Sequence, residues 1–182
     1  MLRGQVIAGV TVTGTARFEA KAPIYPSGFC QVLGTRAPFL DIEIDVPDNW
    51  TGRYWQQGGG GFDGRIASVV TTDAGGAVTA VSPVLALKGA VYAAFNGGNR
   101  ASVPAQAAPG VWASGSPEGQ QSAIDYAYAA GGTTVRFGKA VANLLRQGAE
   151  PQLLQRLLQR RPQRLHRRAA LAAGVRRHRR RL

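Results

Sequence analysis

Apolar and polar residues alternate with a period of two in short runs through the first part of the chain, and adopt a helical spacing only after Ser116. The clearest run is Leu40-Asp41-Ile42-Glu43-Ile44-Asp45-Val46, whose strict alternation predicts a strand with its aliphatic face buried and its acidic face in water. Gln5 to Thr13 predicts a first strand, with Thr15 to Ala20 as its hairpin partner. Pro23, Pro26, Ser27 and Gly28 then supply turn chemistry ahead of a short strand, Phe29 to Thr35. Pro47 to Gly52 predicts a further turn, and Arg53 to Gln57 a returning strand. Ile66 to Val81 is small, polar and glycine-bearing, and reads as a surface excursion without regular structure. Val84 to Phe95 is nearly all apolar and predicts a short helix followed by a buried strand, Ala90 to Phe95, closed by the turn Asn96-Gly97-Gly98-Asn99. A loop from Ser102 to Pro117 contains Trp112.

Ser116-Pro117-Glu118 marks a helix start, with proline at the first helical position. From Gln120 to about Leu145 an apolar stripe of Ile124, Tyr128, Val135, Phe137, Val141 and Leu144 predicts helix packed on a sheet. Gly131-Gly132 interrupts it, which reads as a kink or as a division into two helices.

The chemistry-bearing stretch is Tyr54-Trp55-Gln56-Gln57-Gly58-Gly59-Gly60-Gly61-Phe62-Asp63-Gly64, a strand running into consecutive glycines. Backbone N–H groups close on a developing negative charge only where no Cβ holds the ligand away, and glycine alone enters the required positive-φ turns freely. On that reading Gly59, Gly60 and Gly61 form an oxyanion-hole loop. The other reading is a linker or a hairpin turn, although the stretch lacks the serines of a linker and has Trp55 and Phe62 on either side.

Charge changes the picture only at the C-terminus. The chain of 182 residues has a net charge of +12, but residues 1–138 hold nine basic and nine acidic side chains. Residues 139–182 hold thirteen basic and one acidic, so the basic character belongs to the tail. Cys30 is the only cysteine and has no intrachain partner; on an apolar strand it reads as a small buried hydrophobe. No segment is long and apolar enough to predict a membrane span, and no export signal precedes Gln5. His166 and His178 stand in the tail without a cysteine or carboxylate cluster and read as solvated residues, not metal ligands.

Five segments together resemble the N-terminal part of the tannase and feruloyl esterase family: Phe29-Cys30-x-Val32-x-Gly34, the run Gly58 to Gly64, Ser116-Pro117-Glu118, Ile124-Asp125-Tyr126-Ala127-Tyr128 and Gly138-Lys139-Ala140. The resemblance covers about Gln5 to Asn143 and implies a partial α/β-hydrolase sheet over residues 1–143: N-terminal strands, a glycine-rich oxyanion loop and a packed helix. It further implies a serine hydrolase of phenolic-acid esters with a Ser-Asp-His triad, secreted or periplasmic, taking a small-molecule ester as its partner. The family places aspartate and histidine near the strand end where this chain has Asn96 to Asn99, and an upstream cysteine that would pair with Cys30. It also implies a structural calcium in a lid domain; no cofactor is expected in this chain, which lacks that domain.

After Asn143 the resemblance stops, and residues 144–182 become a basic tail rich in Arg, Gln and Leu with no aromatic side chain. Moving the reading frame by one nucleotide changes what Leu153 to Pro162 encode and permits Tyr-Phe-Asn-Gly-Cys-Ser-Asn-Gly-Gly-Arg, the family's nucleophile elbow. Leu144 to Gln152 and Val175 to Arg181 permit family-like segments on both sides. The tail therefore reads as out-of-frame, with the nucleophile serine standing at Leu158 after correction. Ser68, Ser82, Ser102, Ser114, Ser116 and Ser122 all lack a G-x-S-x-G setting, so the chain as written is expected to be inactive. Taken literally, Leu153, Leu154, Leu157, Leu158 and Leu165 among arginines would form a basic amphipathic helix for an anionic surface, and Arg176 to Arg181 would bind phosphates without specificity. Specific nucleic-acid recognition is not expected, because the tail has no aromatic side chain to stack on a base.

Overall fold

The run from 40 to 46 becomes the middle of a six-stranded sheet in a computed structural model of the chain, which describes residues 2–58, 64–100 and 112–147. Contacts divide the chain into two units, Met1–Leu145 and Arg146–Leu182, and the elements below belong to the first apart from the last residue of its final helix. The strands are β1 (Val6–Ile7), β2 (Val10–Phe18), β3 (Phe29–Arg36), β4 (Leu40–Pro47), β5 (Tyr54–Gln57), β6 (Val70–Thr72), β7 (Val78–Val81) and β8 (Val91–Phe95). The helices are α1 (Pro83–Ala86), α2 (Pro117–Ile124) and α3 (Ala130–Arg146), the last two joined by a π-helical turn, Asp125–Ala129. The main sheet has the order β1-β2-β3-β4-β8-β5, and β6 and β7 form a separate pair.

The N-terminal hairpin differs from expectation. Ala8 and Gly9 both take positive φ (49° and 83°), so the chain turns there, with Ile7 opposite Val10. β2 then runs unbroken to Phe18 and pairs with β3, shifting register between Val12 and Gly14. Thr15 to Phe18 is thus the far half of β2, not its hairpin partner: an Ala-Gly pair sent a weaker turn signal than the glycine at 14. Another difference concerns β5. It does not return along β4 but lies parallel to β8, Tyr54 opposite Val91 and Gln57 opposite Ala94, with β8 inserted between them.

Both faces of β4 are covered. Leu40, Ile42, Ile44 and Val46 join Val10, Val12, Val32, Val91, Phe137 and Val141 in a core beneath α3. Two glycines allow that close approach: a Cβ on Gly138 would lie 2.5 Å from Tyr54 Oη and 2.9 Å from Ile44 Cδ1, and one on Gly34 2.9 Å from Phe137 Cζ. On the opposite face Tyr25, Phe29, Val69, Val81, Leu85, Tyr92 and Ala94 form a second core. Here the alternation misled, because Glu43 and Asp45 are 4% and 0% exposed, not in water. Their cover is the segment read as an excursion, which contains the β6–β7 hairpin, its turn held by Asp73 Oδ1 accepting from the Gly75 and Ala77 amides at 2.9 Å each.

The C-terminal helical region is continuous. Ser116 caps α2, its hydroxyl accepting from the Gly119 amide at 3.1 Å, and Pro117 takes the first turn as the sequence predicts. The irregularity falls at the π turn rather than at Gly131-Gly132, which lie inside α3. A wider turn rotates the stripe within and upstream of it, so Ile124 and Tyr128 are exposed while Ser122 and Asp125 are buried; Phe137 and Val141, downstream, face the core as expected.

Candidate functional site

β3, β8 and β5 point the same way, because β4 is antiparallel to both β3 and β8 while β5 is parallel to β8. Their C-terminal ends therefore deliver Arg36, Asn96 and Gly58 to one end of the sheet, where open α/β sheets place their ligands. Asp41, at the start of β4, lies at the same end.

Asn96, 2% exposed, organises this end. Its amide nitrogen donates to Phe39 O at 2.9 Å and Asp41 Oδ2 at 3.3 Å, while Oδ1 accepts from the Asp41 and Gly98 amides at 3.0 Å each. Its backbone carbonyl accepts from the Gly64 amide at 3.1 Å, so the chain leaves β5 at Gly58 and rejoins the sheet beside the end of β8. Arg100 grips Asp41 with Nε and Nη2, both at 2.8 Å. Gly98, at φ 84°, passes so near the helix that a Cβ would lie 2.5 Å from Asp125 Cβ, and its carbonyl accepts the Ser122 hydroxyl.

Beneath this turn lies a charged pair. Asp125 Oδ1 accepts from Arg36 Nη2 and, at 2.9 Å, from Gln121 Nε2, while Arg36 Nη1 donates to Thr133 Oγ1 at 2.8 Å. Burial pushes the Asp125 carboxyl up, and Gln121 and Arg36 pull against it. Beside it, Gln56 donates to Gly131 O and Tyr54 to Thr134 O, each at 3.2 Å, so β5 is tied to α3 immediately before the glycines. Burial raises the Tyr54 phenol, which keeps it a neutral donor.

The predicted site residues Gly59, Gly60 and Gly61 lie outside the described residues, as does Leu158. The two flanks of the glycine run, Gly58 and Gly64, are described. Cys30 is a free thiol, half-buried rather than fully buried, with Arg17 Nη1 at 3.7 Å from Sγ. The reason is its place opposite Arg17 in the β2–β3 ladder, where the guanidinium pairs in two-pronged fashion with Asp48 at 2.6 and 2.7 Å. The hydrogen bonds of Asn96, the Arg100–Asp41 grip and the Arg36–Asp125 pair were not visible in the sequence; the only hint was the density of polar residues just beyond an apolar strand. Among the described residues no three His, Cys, Asp or Glu side chains are grouped to hold a metal ion, and no helix is long and apolar enough to cross a membrane.

A family model described as Tannase and feruloyl esterase matches residues 26–150. The crystal structure of feruloyl esterase B from Aspergillus oryzae superposes with a TM-score of 0.52 at 18% identity, covering 74% of this chain and 27% of that one. The likeness is one of fold, and identifies the sheet and its helix as a partial α/β-hydrolase fold. This chain spans about a quarter of the length of that esterase, and no curated protein matches it. With the family model extending over most of its length, the chain belongs to the tannase and feruloyl esterase family.

Proposed function

We propose that this chain carries the oxyanion-loop portion of a carboxylic ester hydrolase acting on phenolic-acid esters. The observation that supports it best is the family match over residues 26–150 on a sheet where Gly64 is bonded to Asn96, so that both flanks of the glycine run meet the C-terminal end of a parallel strand pair. In the parent enzyme the reaction is acyl transfer. A serine at the position of Leu158 attacks the ester carbonyl as a histidine takes its proton, and an aspartate orients that histidine. Backbone N–H groups at Gly59, Gly60 and Gly61 hold the tetrahedral oxyanion together with the N–H of the residue after the nucleophile. Residues 1–143 form the hydrolase portion, and residues 144–182 are a tail translated out of frame. With no serine in a G-x-S-x-G setting and a basic run where the nucleophile elbow would stand, the chain as written turns over no ester.

The test compares the purified chain with a version whose frame is restored and whose downstream gene segment is appended, both assayed on ethyl ferulate and methyl gallate. Activity confined to the restored version is expected. Ester cleavage by the chain as written, abolished by replacing one of its own serines, would overturn the proposal.

A further inference from the structure

Glu43 and Asp45 stand on the face of β4 turned away from α3, beneath the segment from 64 to 82. Glu43 Oε1 accepts from the Ser68 hydroxyl at 2.9 Å and the Val69 amide at 2.8 Å, and the Tyr92 hydroxyl of β8 donates to Ala67 O at 2.8 Å. Three consecutive residues of the covering segment are thus fastened to this layer, two of them through one carboxylate. Asp45 lies opposite Gln31 on β3 and Tyr92 on β8 and interacts with Glu43. Gln31 is near enough to favour its charge slightly, yet neither Asp45 oxygen meets a donor with hydrogen-bond geometry among the described residues. Two buried carboxylates side by side on one face of a strand have no donor between them unless one holds a proton, and a buried layer does not tolerate both charges.

We infer that Asp45 is a carboxylic acid at neutral pH, that its O–H donates to Glu43, and that this one-proton pair is the catch holding segment 64–82 on the sheet, released as the pH rises. Glu43 then accepts from three donors, Asp45, Ser68 and Val69. Release transfers the Asp45 proton to solvent, removes one donor and sets two negative charges side by side. Among the described residues of this apolar layer, Tyr92 from β8 and Tyr25 ahead of β3 carry titratable side chains, whereas Val69, Val81, Leu85 and Ala86 of the cover and α1 carry no charge and the cover's Arg65 and Asp73 are exposed. Burial first, and the Glu43 charge second, push the Asp45 carboxyl well above its ordinary range. Tyr92 is pushed up to about 12 by burial and then by both carboxylates, so it stays neutral while the pair titrates. The sign follows: a raised folded value means that the contribution is whole below the unfolded carboxyl range of about 3.9 and disappears as pH rises through the folded value.

The experiment uses the full chain. Infrared difference spectra at neutral pH should show a protonated carboxylic acid band that is absent from Asp45→Asn, and the protection of the Val69 amide, corrected for base-catalysed exchange, should fall about tenfold per pH unit as the acid titrates. Asp45→Asn keeps a donor toward Glu43 and cannot ionise, so its Val69 protection should be unchanged over the same range. Glu43→Gln retains an acceptor for Ser68 and Val69 but removes the adjoining charge, so the acid band should titrate at lower pH. Absence of the band in the unmodified chain, pH-independent protection at Val69, or an unmoved titration in Glu43→Gln would each overturn the inference.

Discussion

At the scale of single residues, contact distance decides the sign of a substitution that helix propensity alone would mispredict. Gly138→Ala gains about 1 kcal/mol of helix propensity. Its new methyl group, however, would sit 2.5 Å from Tyr54 Oη and 2.9 Å from Ile44 Cδ1. Overpacking a dense core costs about 1–3 kcal/mol, so a net loss of roughly 1–2 kcal/mol is expected, read as a lowered urea midpoint at unchanged m-value. Asn96→Ala removes the partner of the Asp41 and Gly98 amides and of the Phe39 carbonyl in a site 2% exposed. Each stranded buried group costs about 1–3 kcal/mol, and a loss near 3 kcal/mol is expected in the same measurement. Asn96→Asp should fare no better: the new carboxylate cannot donate to Phe39 O, and it places a second negative charge where the amide now reaches Asp41 at 3.3 Å. An Asn96→Ala chain with wild-type stability would show that these bonds are replaced by water at no cost.

The helical region gives the comparison at the scale of elements. Its N-terminus is capped by Ser116, which accepts from the Gly119 amide, and loss of such a cap costs about 1 kcal/mol. Its middle is tied to the sheet through Gly98, which combines a φ of 84° with a 2.5 Å approach of its would-be Cβ to Asp125. Forcing a non-glycine residue into that conformation costs about 1–3 kcal/mol before the clash is counted. Gly98→Ala should therefore lower the thermal midpoint more than Ser116→Ala does. Equal shifts would mean that the turn after β8 moves aside freely and does not lock strand to helix.

For the molecule as a whole, pH and the open sheet edge matter most. Asp45 and Asp125 both have raised carboxyls, chiefly through burial, so their contributions are present below about 3.9 and fade as pH rises. Asp48 is lowered by its bond to Arg17, so its contribution is present above about 3.9 and lost as pH falls through its folded value. That pair is nearly half exposed and contributes little. Thermal midpoints are accordingly expected to be highest in mildly acidic buffer and to decline toward alkaline pH; a rise from pH 5 to pH 8 would contradict these directions. Among the described residues β5 pairs only with β8, and its Trp55 is 48% exposed, which leaves an apolar edge ready to pair with another chain. Concentration-dependent association is expected by sedimentation velocity, and Trp55→Lys should reduce it by placing a charge on that edge.

Local pattern was enough to determine β3, β4, α1, β8, the capped start of α2 and the burial of Phe137 and Val141, because each depends on neighbours two to four positions away in the chain. Five short segments also carried the resemblance to the tannase and feruloyl esterase family, which the family model over residues 26–150 bears out. Partners distant in sequence lay beyond local pattern. Alternation at 40–46 distinguishes one face of a strand from the other but does not reveal that residues 66–86 fold back and remove the acidic face from water. An apolar stripe assumes uniform helix, so the π turn at Asp125–Ala129 displaced the expected positions of Ile124 and Tyr128. A strand that follows a turn does not disclose which neighbour it will pair with, and the placement of β5 beside β8 rather than β4 is what makes Gly58 the neighbour of the strand end where Asn96 receives the Gly64 amide. These features depend on burial and on pairing across long stretches of chain, and such free energies exist only once the sheet is assembled.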